Sequence, residues 1–164
     1  MELYLIRHGI AEERGSNNND QERSLTDLGR QKTHLVATRL YQLGLRFDLI
    51  LTSPLVRSRQ TAEILRSCEL SSQLEESSYL APDGDIDARL RGLLEQQRHL
   101  AQSQLALVGH QPDLGQWAEI LVWGEAREGL VLKKAGIIGL ILPETGSAVG
   151  RSWLFWLTPP RFLL

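Results

Sequence analysis

Met1-Glu2-Leu3-Tyr4-Leu5-Ile6-Arg7-His8-Gly9 opens the chain with a short apolar run that ends abruptly in an arginine, a histidine and a glycine. In an open α/β sheet, ligands bind in the crevice outside the carboxyl ends of the strands. A strand over this run therefore delivers Arg7 and His8 to such a crevice, and Gly9 permits a sharp turn or a close backbone approach to a ligand. The arrangement returns twice. Asp48–Thr52 runs into Ser53-Pro54-Leu55-Val56-Arg57, and Leu105–Val108 runs into Gly109-His110-Gln111-Pro112. The strand ends thus supply Arg7, His8, Arg57 and His110.

Around these ends, segments of strand character alternate with segments of helical period, the pattern of an α/β fold with a mostly parallel central sheet between two helical layers. Ala11–Arg23 is polar and reads as a mobile loop beside the site. Thr26 caps a helix with Leu28, Leu35, Val36, Leu40 and Leu43 at helical spacing, and Gly44 stops it. Ser53 and Pro54 form a cap followed by proline at the first helical position, which places Arg57 in the first turn of a helix running to about Arg66. Leu74–Leu80 is a weaker strand candidate, and Asp85 caps a helix presenting Ile86, Leu90, Leu93 and Leu94. Pro112 starts another helix, with Leu114, Trp117, Ala118, Leu121 and Val122 inward. Two late strands, near Gly136–Leu142 and Ser152–Leu157, lack room for a crossover helix between them and should pair antiparallel.

A chain of 164 residues, 42% hydrophobic and 23% charged, is expected to form one domain over residues 1–164 with a proper core. Its formal charge of −2 gives no global attraction to nucleic acid or anionic lipid, so any phosphate binding must be local. The single cysteine, Cys68, forms no internal disulfide. Neither a signal peptide nor a membrane-length apolar run is visible, and the cytoplasm is the expected compartment.

Phosphoryl transfer needs a nucleophile in line with the leaving group, and positive charge or N–H donors around three equatorial oxygens. His8 is the expected nucleophile: its neutral imidazole attacks phosphorus to give a phosphohistidine intermediate, which water then hydrolyses. Arg7 and Arg57 offer permanently charged planar forks for the oxygens. His110 donates if protonated and positions the phosphoryl group if neutral. Its place before a helix N-terminus, which disfavours an imidazolium, leaves its charge open. Arg59 points elsewhere on its helix and reads as solvated, as do His34 and His99. Asp85 reads as a cap, Asp83 as a turn residue or a general acid, and Tyr4 and Trp153–Trp156 as core aromatics.

Arg7-His8-Gly9, Ser53-Pro54-Leu55-Val56-Arg57-Ser58-Arg59-Gln60-Thr61-Ala62 and Val108-Gly109-His110 together resemble the signature of the histidine phosphatase superfamily. The small size, Leu80-Ala81-Pro82-Asp83-Gly84-Asp85 and the ending Trp156-Leu157-Thr158-Pro159 are similar to its SixA-type phosphohistidine phosphatase branch. The resemblance implies the roles already assigned to Arg7, His8, Arg57 and His110. It also aligns Arg23 with an arginine of that branch that could reach substrate phosphate. The superfamily's phosphomonoesterases carry a Glu or Asp acid between the second motif and the second histidine, and this chain shows no clear equivalent. An alkoxide leaving group needs a proton, whereas transfer between imidazoles exchanges similar partners.

The expected activity is therefore a metal-independent, cofactor-free phosphatase acting on a phosphohistidine-bearing protein, such as a histidine-containing phosphotransfer domain. The competing readings are a small-molecule phosphomonoesterase using Asp83 or Asp85 as acid, and a phosphate-binding module without turnover. A metal site lacks a histidine pair at ligand spacing, and two guanidinium groups would repel a divalent cation. Trp153–Leu157 is apolar on both faces, which burial inside the sheet explains. A monomer is expected, with a dimer contact the secondary reading.

Overall fold

The computed structural model describes residues 1–15, 19–97, 99 and 103–164. Its elements are β1 (Glu2–Arg7), α1 (Asp27–Gln42), β2 (Leu49–Thr52), α2 (Val56–Ser67), β3 (Leu74–Glu76), α3 (Ile86–Gln96), β4 (Gln104–Gly109), α4 (Asp113–Trp123), β5 (Ile137–Ile141) and β6 (Trp153–Thr158). The strands form a six-stranded sheet in the order β3-β2-β4-β1-β5-β6. β1 to β4 are mutually parallel, β5 is antiparallel to β1, and β6 is antiparallel to β5.

This order positions the site. The chain steps outward from β1 to β2 and β3, then returns to lay β4 between β2 and β1, with Leu51 and Leu5 both opposite Leu107. The carboxyl ends of the motif-bearing strands consequently stand side by side. That is the crevice geometry expected of open α/β sheets.

Side chains alternate across the sheet and bury two separate cores. Leu3, Leu5, Leu105, Leu107, Ile138 and Leu140 meet Leu90 and Leu93 of α3 and Leu114, Trp117 and Leu121 of α4. Tyr4, Ile6, Ile50, Ala106, Val108 and Ile137 meet Val36, Ala37 and Leu40 of α1 and Ala62 and Leu65 of α2. Burial of a Leu- or Ile-sized side chain contributes roughly 1.5–3 kcal/mol, so these two faces hold the helical layers on. No helix among the described residues is long and apolar enough to cross a membrane.

The expected caps at α1 and α3 are present: Thr26 Oγ1 accepts from Gly29 N at 3.0 Å, and Asp85 Oδ1 accepts from Ala88 N at 3.0 Å. Several expectations need correction. On α1, Leu28, Leu35 and Leu43 are exposed; the inward stripe is Gly29, Thr33, Val36, Ala37 and Leu40. Gly29 is there because a Cβ would lie 2.0 Å from the Ile10 carbonyl oxygen, so the helix packs directly on the backbone that follows β1. α2 starts at Val56 rather than Pro54, with Leu55 at its N-cap and no side-chain cap. Leu74–Leu80 divides into the short β3 and a 3₁₀ turn at Ser78–Leu80.

The last strand is also different. β6 lies at the sheet edge, so Trp153 is 74% exposed and Leu154, Phe155 and Leu157 are also exposed, while Trp156 packs against the core and Phe155 keeps an edge contact with Tyr4. A register shift between Gly139 and Leu140 makes Phe155 the extra residue of a bulge. Tyr4 is buried as expected.

Candidate active site

Arg7, His8, Arg57 and His110 meet in a cavity of about 720 Å³ at the carboxyl ends of β1, β2 and β4. His8, Arg57 and His110 are buried, and the two imidazole rings are 5.2 Å apart between centroids.

The hydrogen bonds of His8 determine its tautomer. Nδ1 is 2.7 Å from the Gly9 carbonyl oxygen, which can only accept, so the proton is on Nδ1. Arg57 Nε donates to Nε2 of the same ring at 3.3 Å, so Nε2 carries a lone pair. Burial, reinforced by Arg57, Arg7 and His110, outweighs the Gly9 bond and pushes the His8 pKa down to about 3. The ring is neutral at ordinary pH. It presents a nucleophilic nitrogen between guanidinium groups.

His110 is held differently. Its Nε2 is 2.8 Å from Ser53 Oγ and 3.4 Å from Ser58 Oγ, whereas its buried Nδ1 has no partner among the described residues. Burial, then the nearby Arg57, lowers its pKa to about 3. The charge left open by the sequence is therefore settled by burial in favour of a neutral ring. Ser53 is less a helix cap than a brace for this imidazole.

Arg57 is fully engaged. Besides His8, its Nη1 donates to the Asp20 carbonyl at 2.7 Å and its Nη2 to Asp20 Oδ2 at 3.2 Å. Asp20 sits in a 3₁₀ turn, Asp20–Glu22, within the polar stretch read as a mobile loop, of which residues 16–18 lie outside the described residues. Its carboxylate also meets Arg23 at 2.7 Å and Arg14 at 3.0 Å. Its partial burial favours the neutral acid, but the hydrogen bond from Arg23 and the charges of Arg57 and Arg23 prevail and hold its pKa down at about 2. Arg23 does line the cavity, with Asp20 as its immediate partner.

Gly9 has a different role from the one expected. It is not a cavity wall: its N–H is committed to Thr61 Oγ1 at 3.0 Å, and a Cβ there would come 2.3 Å from Thr33 Oγ1. Its small size lets α1 and α2 close on the end of β1. Asp83 does line the cavity, whereas Asp85 is occupied as the α3 cap. Arg59 is exposed and pairs with Glu76 at 3.4 Å, and His34 and His99 are exposed too.

Arg7 depends on a segment with no motif. Its Nη1 donates to the Leu132 carbonyl at 2.9 Å, and Ala135 N–H reaches the carbonyls of Arg7 and His8 at 3.1 and 3.2 Å. The segment leading to Leu132 is anchored by Glu119, a fully buried residue of α4. Its carboxylate accepts from the backbone N–H groups of Arg127, Glu128, Gly129 and Leu130 at 2.5–2.8 Å. Burial alone would raise its pKa, but these four donors outweigh burial and lower it. Gln111 Nε2 adds a bond to the Leu130 carbonyl at 3.1 Å.

A neutral imidazole with a lone pair beside two guanidinium groups has the parts that phosphoryl transfer requires. Residues 3–97 match the model of the histidine phosphatase superfamily, branch 1, and the chain belongs to that family. An uncharacterised protein of Picosynechococcus sp. is 49% identical over 168 residues, covering 100% of this chain and 99% of that one. The mitochondrial serine/threonine-protein phosphatase PGAM5 of Rattus norvegicus is 36% identical over 90 residues, 51% of this chain and 31% of that relative. Among solved structures, the protein histidine phosphatase SixA complexed with tungstate superposes with a TM-score of 0.82 at 25% identity, covering 100% of both chains. The fold is thus of the SixA type, and the protein is a phosphatase by family.

Proposed function

We propose that the protein is a phosphohistidine phosphatase that takes the phosphoryl group from a protein phosphohistidine onto His8. The observation that carries the reading is the tautomer of His8: Nδ1–H is fixed on the Gly9 carbonyl, and Nε2 is left with a lone pair beside Arg57. Nε2 attacks phosphorus as the bond from phosphorus to the substrate's ring nitrogen breaks. A substrate imidazole protonated on its other nitrogen leaves as a neutral ring and needs no further proton. The phosphorylated His8 ring is the matching cation, its Nδ1–H still bonded to Gly9. Water then attacks phosphorus, and neutral His8 and phosphate are released.

Arg7 and Arg57 neutralise the equatorial oxygens, and the unpartnered Nδ1 of neutral His110 is left for one of them while Ser53 holds Nε2. The absence of an assured acid is tolerable for an imidazole and costly for an alkoxide. The full-length similarity to SixA supports the same substrate class.

A second reading has one observation in its favour. Asp83 stands on the cavity wall, where it could protonate the oxygen leaving from a small phosphomonoester. Comparing kcat/KM for a phosphohistidine protein, a phosphoserine peptide and a sugar phosphate decides between them, with rapid quench to trap an acid-labile phosphoryl group on His8. Preference for the phosphohistidine protein and loss of labelling in His8→Ala are expected. Faster turnover of the sugar phosphate, abolished in Asp83→Asn, would establish the second reading instead.

A further inference from the structure

The charge of the cavity exceeds what one phosphoryl group can balance. Among the described residues, five cationic side chains line it against two carboxylates, Asp20 and Asp83, although the chain as a whole has a formal net charge of −2. Asp20 holds Arg14, Arg23 and Arg57, and Arg7 is turned toward the Leu132 carbonyl. The fifth cation is Lys134. It is exposed on the cavity wall, and no ion pair or hydrogen bond among the described residues engages its ammonium group.

Lys134 stands on a fixed base. Leu132 accepts from Arg7, Gly136 N–H donates to the Lys133 carbonyl at 2.7 Å, and Ala135 N–H is bound to the carbonyls of Arg7 and His8. Ala135 takes a left-handed conformation at φ 59, which turns the chain tightly around the end of β1. The lysine is therefore anchored one residue from the backbone that carries the proposed nucleophile, and its flexible four-carbon stem extends the charge over the cavity mouth.

We propose that Lys134 is a specificity-determining residue that binds a second anionic group of the substrate, a carboxylate beside the phosphorylated group. Resting on the phosphohistidine reading, this makes the preferred target a phosphohistidine flanked by an Asp or Glu side chain. The two arginines nearest His8 serve the phosphoryl oxygens, while a hydrated ammonium at the rim suits an exposed carboxylate as a point charge. An exposed pair of this kind is worth up to about fivefold in relative affinity.

The test uses two substrate pairs on the whole protein. One pair is a phosphohistidine peptide with Asp near the phosphorylated residue and the same peptide with Asn. The other is a carboxylated phenyl phosphate and phenyl phosphate itself. In the wild type the ratio of kcat/KM, acidic over neutral member, should be about five, expressed mainly in KM. It should fall to about one in Lys134→Ala, invert in Lys134→Glu and be retained in Lys134→Arg. Ratios that do not change between wild type and Lys134→Ala overturn the subsite, and turnover of the peptides in that case leaves the phosphohistidine reading standing. A Lys134-dependent ratio for the aryl pair, with neither peptide turned over, supports the subsite and overturns the phosphohistidine reading.

Discussion

Asp20 Oδ2 lies 3.2 Å from Arg57 Nη2, so the guanidinium proposed to receive phosphate already holds an anion belonging to the protein. With Nη1 on the Asp20 carbonyl and Nε on His8, Arg57 has no idle donor nitrogen. A phosphoryl oxygen must compete with this carboxylate for Arg57, Arg23 and the space beside His8.

Asp20→Asn removes that competition while preserving the side chain's shape. Inorganic phosphate and tungstate should inhibit the variant roughly fivefold more strongly, the scale of one partly exposed ion pair. Competitive inhibition constants for wild type and variant check it. An unchanged or weaker inhibition would mean that Asp20 assists anion binding by orienting the arginines.

The two buried histidines predict a specific pH dependence of stability. Each is neutral in the fold down to about pH 3, against a usual value of 6.5. The unfolded chain binds these protons first as pH falls. The associated stability is therefore complete above pH 6.5 and is lost progressively as pH drops toward 3. Urea unfolding across this range should show a falling midpoint, and His110→Asn should flatten the slope.

Arg57 and Arg59 provide an internal comparison two residues apart. Arg57→Ala removes donors facing His8 and should lower kcat/KM roughly 10²–10³-fold. Arg59→Ala removes a partly exposed pair with Glu76 and should change it by less than about twofold. Equal losses in steady-state kinetics would show that the phosphate pocket lies elsewhere.

Gly29→Ala tests the packing that supports the site. The new Cβ would lie 2.0 Å from a backbone oxygen, which cannot rotate away, so α1 or the Ile10 segment must shift. A loss of about 1–3 kcal/mol in unfolding free energy is expected despite alanine's better helix propensity.

Much of this site was legible because its main residues follow apolar strands directly, and strand ends are where an α/β sheet places ligands. The polar stretch hid Asp20, since a 3₁₀ turn has no hydrophobic period to reveal it. Ser53 looked like a cap because serine before proline usually is one; only the return of β4 beside β2 brings His110 to it. The Leu132 contact is made by a carbonyl, which every residue possesses. On α1 the leucines kept helical spacing, yet the stripe of Gly29, Thr33 and Ala37 faces inward because the helix packs too closely for larger side chains there. Likewise, alternating apolar residues cannot distinguish a central strand from the edge position of β6.

The central place of β1 sets an order on synthesis. β1 precedes in the chain both strands that flank it, β4 and β5, which do not exist until residues 104–109 and 137–141 have been made. Until β4 is made, the segment carrying Arg7 and His8 has neither sheet partner, and until β5 follows one edge of β1 still waits unpaired. Arg7 and His8 precede these partner strands in the chain, yet they acquire their geometry only once those strands are made. A nascent chain that has already passed the segment matched by the family model still cannot form the site, and premature termination there would leave an aggregation-prone strand rather than a weak enzyme.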